Sequence, residues 1–212
     1  MPEHPLVEFI YSTFGEPLGD LLLVGYGSQQ EGQQASFKFR APKGGVTQTW
    51  IVDVTAYALP CGREPLVLAA LLKFLVLRVD LDFPDKVTHS FEFDMEKLLA
   101  EVGRDGTRFS VEEAEEIIEK YTKISYTLRE WKTKMPKAYS RARAKYTFLS
   151  SYTTFSYGDA GDTQVRRLID RVTLYENFVE GLKRGEITFA GMSLGERQPE
   201  RPFANFPFVL SL

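Results

Sequence analysis

The chain has 212 residues, 43% hydrophobic and 13% aromatic. That is enough for a packed core in one large or two small domains, and it excludes a disordered chain. Its formal charge of −3 is unevenly spread: Arg129 to Lys145 holds seven Lys/Arg against one Glu, which leaves −9 for the remainder. One cysteine and two histidines exclude an internal disulfide framework and a Cys-based zinc cluster, and leave few parts for a Ser/Cys–His catalytic constellation.

The first residues, MPEHPLVEF, have no positive stretch followed by an apolar one, so no signal peptide is expected and the expected compartment is the cytoplasm. His4 falls in an expected frayed terminus. Leu6–Phe14 and Leu21–Tyr26 are apolar runs bounded by glycine-containing turns and read as strands. In Ser36–Arg40, Phe37 and Phe39 alternate with Lys38 and Arg40, giving one buried and one wet face. Pro42–Gly45 then turns the chain into Gln48–Val54, with Trp50, Val52 and Val54 on one face, so the two runs read as a hairpin. Cys61, between Pro60 and Gly62, reads as a small buried thiol rather than a nucleophile.

Pro65–Leu77 is apolar almost all round and reads as a central buried helix. Leu66–Leu77 within it is too short to span a membrane, and no membrane association is expected. His89 follows a proline-containing turn and reads as a surface residue. Phe91–Phe93 is extended, Asp94 caps a short helix Met95–Val102, and Gly103 closes it. Ser110 and Glu113 form a capping box opening Val111–Thr122, with Ala114, Ile117, Ile118 and Tyr121 at helical spacing. Ile124–Trp131 and Tyr146–Tyr157 read as strands framing the basic segment, and Arg166–Leu174 as a third strand. Tyr175–Arg184 suggests a short helix, and the Pro/Gly/Glu/Arg-rich tail from Gly191 reads as loop.

This order predicts an α+β fold: a winged helix-turn-helix domain with extra N-terminal antiparallel strands and a long β-hairpin wing. The expected organisation is N-terminal strands over 1–57, a winged-helix domain over 58–190, and a tail over 191–212 that would link to a second domain. In helix-turn-helix geometry the second helix of the pair enters the major groove. Here that helix carries Glu112, Glu113, Glu115, Glu116 and Glu119, which phosphates would repel. Lys132, Lys134, Lys137, Arg141, Arg143 and Lys145 are therefore the expected DNA-binding residues, acting on phosphates through charge and without sequence reading. Trp131, Tyr139 and Tyr146 would pack or stack beside them.

Trp50-Ile51-Val52, Ala58-Leu59-Pro60 and Leu66–Leu72 together resemble the signature of the plasmid replication initiator protein A (RepA-like) family. Phe91–Gly103 resembles that family's next element, and the resemblance covers roughly residues 48–190. Pro-Cys-Gly-Arg at 60–63 departs from the family's usual residues after the leucine. The resemblance implies a non-enzymatic, cofactor-free protein that binds double-stranded DNA at plasmid origin repeats, forms a homodimer, and works with host replication proteins. A winged-helix module for protein interaction or transcriptional regulation is the alternative. A nuclease holding Mg²⁺ on Asp53, Asp80 and Asp82 is a third reading, with no Lys or His spaced to complete such a site.

Overall fold

The structure is a computed structural model that describes residues 4–43, 46–78, 89–133, 144–157, 166–176, 188–189 and 192–193. The chain opens with two helices, α1 (Pro5–Phe14) and α2 (Glu16–Leu22). This corrects the expectation of strands at Leu6–Phe14 and Leu21–Tyr26. The physical reason is a helical stripe: Leu6, Val7, Ile10 and Phe14 are all buried. The helix is started by Pro5 in its first turn and by His4, whose Nδ1 accepts the Leu6 N–H at 3.0 Å. The same contact removes His4 from the frayed terminus, since it is buried and donates from Nε2 to the Val102 carbonyl at 3.0 Å.

Strands β1 (Gln34–Lys43) and β2 (Val46–Thr55) form the expected antiparallel hairpin. Before them, Gly25 holds φ at +81°, and a Cβ there would lie 1.8 Å from the Pro60 carbonyl oxygen. Only glycine fits, and the approach lets the segments around Tyr26 and Gly62 pair. α3 (Pro65–Arg78) is the central helix, with Leu66 through Leu72 and Leu75 buried. β3 (Ser90–Phe93), α4 (Met95–Val102) and α5 (Val111–Lys123) follow as the periodicity requires. Asp94 caps α4 through the Glu96 and Lys97 N–H groups. Ser110 and Glu113 complete the capping box of α5, which buries Ala114, Ile117, Ile118 and Tyr121.

β4 (Ser125–Thr133), β5 (Ala144–Tyr146), β6 (Leu149–Tyr157) and β7 (Arg166–Leu174) divide between two sheets. One has the order β1-β2-β4-β5 and the other β3-β7-β6. The expectation that Tyr146–Tyr157 is one strand beside Ile124–Trp131 is therefore corrected. Only Ala144–Tyr146 pairs with β4, and the chain then crosses to the other sheet. The crossing is pinned at Phe148, which is buried 4.6 Å from the Tyr126 ring, centroid to centroid, and accepts the Tyr175 N–H on its carbonyl at 2.9 Å.

Because β2 pairs with β4, residues on both sides of the expected 57/58 boundary share a sheet. α1 and α2 likewise contribute to the same apolar core as α3, α4 and α5. Thr188–Phe189 pairs with Met192–Ser193, so a short ladder stands where the loop-like tail was expected to begin. The turns at Gly44–Gly45 and in GDAGDT, and the expected helix beyond Glu176, lie outside the described residues. No helix among the described residues is long and apolar enough to cross a membrane.

Candidate nucleic-acid interface

The basic segment leaves the four-stranded sheet at the end of β4 and returns on β5. Of its six expected contact residues, Lys132 sits on β4 opposite Thr49 of β2, and Lys145 sits on β5 opposite Thr127. Lys134, Lys137, Arg141 and Arg143 lie outside the described residues, as does Tyr139. The segment thus begins and ends on the β1-β2-β4-β5 sheet. The connection between β6 and β7, residues 158–165, reads GDAGDTQV and carries two aspartates and no Lys or Arg.

The β1-β2-β4-β5 sheet has two unlike faces. Val52, Val54 and Tyr126 are buried, whereas their neighbours Ser36 and Lys38 are exposed and Ile51, Asp53 and Thr127 are half-buried. Residues directly opposite each other in an antiparallel pair share a face. The register therefore groups Phe39, Trp50 and Trp131 with Val52 and Val54 on the core side. It groups Lys38, Ile51 and Glu130 in one row of the other side, and Arg40, Thr49 and Lys132 in the next. Ser36, Asp53, Thr127 and Lys145 make a third row there, where the Ser36 hydroxyl donates to Asp53 at 2.8 Å. The sequence showed Lys38 and Arg40 as the wet face of a strand. It did not show that this face also carries the positions of Lys132 and Lys145, because the pairing of β2 with β4 is distant in sequence.

The acidic helix α5 has a different electrostatic role. Glu113 is held in the capping box, its Oε2 accepting the Ser110 N–H at 2.7 Å. Glu119 pairs with Lys123 at 3.3 Å, and Glu115 accepts from Tyr152 at 3.4 Å. Lys120 reaches off the helix and bridges Glu31 at 2.7 Å and Glu64 at 2.9 Å. Burial alone would lower the Lys120 pKa, but the hydrogen bonds to Glu31 and Glu64 outweigh it and hold it above its ordinary value.

Glu31, Cys61 and Glu64 bring their ligand atoms within 4.8 Å of one another. The ammonium of Lys120 pairs with both carboxylates there, making an ion-paired knot. Burial, with Glu64 and Glu31 adding, pushes the Cys61 thiol up, and the neutral thiol is a poor nucleophile. Beside the knot, Arg63 pairs with Asp105 at 2.9 Å and donates to the Tyr26 hydroxyl at 2.8 Å. His4 Nε2 lies 3.7 Å from the same Asp105. These polar groups tie the N-terminus, the 59–64 loop, α4 and α5 together. Of the carboxylates considered for Mg²⁺, Asp53 is engaged by Ser36, and Asp80 and Asp82 lie outside the described residues. His89 is exposed, as expected of a surface residue.

No protein-family model matches the chain, and no curated protein matches it. Among solved structures, it is similar to the selenomethionine crystal structure of domains 2 and 3 of RctB. The TM-score is 0.50 at 11% identity, covering 76% of this chain and 60% of that one. A second crystal structure of RctB domains 2–3 aligns with a TM-score of 0.49 at 12% identity, covering 80% of this chain and 61% of that one. The likeness to the first is one of fold, and the chain spans about three-fifths of the length of those structures.

Proposed function

We propose that this chain is a replication-initiator domain that holds double-stranded origin DNA through its basic arm and has no catalytic activity. The observation that carries the reading is the +6 segment Arg129–Lys145 in a chain of net charge −3, presented by strands of one sheet. A concentrated positive field on an acidic protein draws in phosphate backbones through counterion release. The chain also shares its fold with domains 2 and 3 of RctB.

The finer assignment is to a RepA-like winged helix that dimerises, binds origin repeats and meets host replication proteins. What supports it is the order α3, β3, α4, α5 followed by the hairpin β6–β7, with β7 between β3 and β6. In this reading β6–β7 is the wing, and the basic arm is an additional element on the other sheet. The glutamates of α5 leave sequence reading to another part of the protein.

The test is DNA binding across salt concentrations, with origin repeats and random duplex compared. Neutralising Lys134, Lys137, Arg141 and Arg143 together should weaken binding to both. It should also flatten the log–log salt dependence by about 3 to 4, from about 0.9 per phosphate contact. An unchanged affinity and slope would remove the arm from the interface. The exposed Glu112, Glu116 and Glu119 of α5 favour a second reading, a protein-interaction module that docks a basic partner. Wild-type protein that ignores DNA at physiological salt would favour that reading.

A further inference from the structure

We infer that the solvent-side face of the β1-β2-β4-β5 sheet is a second part of the DNA-backbone contact, with Lys38 and Arg40 as binding residues. This rests on the DNA-binding reading above and extends it to residues 89 or more positions away from Arg129–Lys145 in sequence. The carrying observation is the register. Lys38, Arg40, Lys132 and Lys145 occupy one face, and Arg40 and Lys132 flank Thr49 in a single row. The acids at register positions on that face are Asp53 and Glu130, so cations outnumber carboxylates two to one.

A β-bulge makes this arrangement. The pairing of β2 with β4 shifts between Ile51 and Val52, so that Val52 faces Leu128 while Ile51 faces Glu130, and Arg129 is the extra residue. Without the bulge, Lys132 would stand opposite Gln48, on the side of Val52 and Val54. A one-residue shift moves a strand's residues to the opposite face of the sheet. The inserted residue thus transfers Lys132 to the row of Arg40 and Trp131 to the row of Trp50. A sheet that uses a bulge to collect cations on its wet side has a face built for an anionic partner.

The dimensions fit a duplex. Strands lie about 4.8 Å apart and residues two apart along a strand are about 6.8 Å apart, so the face spans about 14 Å each way. Over about 14 Å of axis a duplex presents about eight phosphates, roughly half of them on the near side. Four cations on the face match that number.

The experiment is fluorescence anisotropy with a random-sequence duplex from 50 to 300 mM salt, using the full chain and checking each variant's fold by circular dichroism. Lys38→Gln/Arg40→Gln should lower the log–log salt slope by about 2 and weaken binding at least tenfold at the low-salt end. Thr49→Lys, which adds a cation between Arg40 and Lys132, should steepen the slope by about 1 and tighten binding. The second variant keeps the test decisive if the first fails to fold. Lys97→Gln, an exposed cation on α4, should change neither quantity. The sheet-face inference is overturned alone if both sheet variants bind like wild type while neutralising the arm abolishes binding. It falls together with the DNA-binding reading if wild-type protein shows no salt-dependent binding.

Discussion

The half of the molecule built on α3, α4 and α5 and the half built on β1, β2, β4 and β5 use charge in opposite ways. In the helical half, several acids are tied to fixed partners. Glu101 is bound by Lys73 and by Arg104, the buried Asp170 accepts from Tyr152 at 2.8 Å and Thr154 at 3.1 Å, and Lys120 clamps Glu31 and Glu64. In the sheet half, Lys38, Arg40, Lys132 and Lys145 occupy register positions on one face. In the proposed reading, the carboxylates of the helical half serve the fold and the cations of the sheet half serve recognition. The difference teaches that net charge was a poor guide to this protein, and that the placement of each sign was the informative quantity.

The largest expected effect lies at the centre of the helical half. Leu72 is fully buried in α3, and Leu72→Ala should cost about 2–5 kcal/mol of unfolding free energy in urea titration. A loss below about 1 kcal/mol would mean that α3 is not the common core of both halves. Next comes the knot that closes the helical half. Lys120→Met removes the cation between Glu31 and Glu64 and should cost about 1–3 kcal/mol. Lys120 has a raised pKa in the folded state, so its contribution is fully present below its unfolded pKa of about 10.4 and is lost as pH rises through the higher folded value. The gap between wild type and variant should therefore stay constant from pH 6 to 9 and close in the alkaline range above. A gap that closed within pH 6 to 9 would show that another group, and not this ion pair, holds the loop to the helix.

How much of this was legible in the sequence follows from the range of the interactions. α3, α4 and α5 were readable because apolar spacing and caps are local: Asp94, Ser110 and Glu113 announce helix starts within four residues. α1 was misread because Leu6–Phe14 contains β-branched and aromatic residues, although Leu6, Ile10 and Phe14 already fall at fourfold spacing and Pro5 stands at the start. A histidine cap is an uncommon signal, and nothing local says that His4 will be met by Val102. The split of Tyr146–Tyr157 between two sheets depends on Phe148 packing against Tyr126, a contact no local pattern shows. At the site, the arm was legible as a run of charge. The proposed extension of the site to Lys38 and Arg40 depends on the pairing of β2 with β4 and on one inserted residue, Arg129.

The smallest effect separates the two halves by one hydroxyl in each. Ser110 Oγ accepts the Glu113 N–H at 3.1 Å, while the Glu113 carboxylate takes the Ser110 N–H in return. Two donors that the helix itself cannot satisfy are thereby answered, and Ser110→Ala should cost about 1 kcal/mol in thermal or urea unfolding. On the sheet, the exposed Ser36 hydroxyl donates to Asp53 in competition with water, and Ser36→Ala should cost less than about 0.5 kcal/mol. If the two changes cost the same, the polar groups of the sheet face stabilise the fold as those of the helices do. If they differ as expected, that face is free to vary its polar residues without loss of stability, as a surface that meets a partner must be.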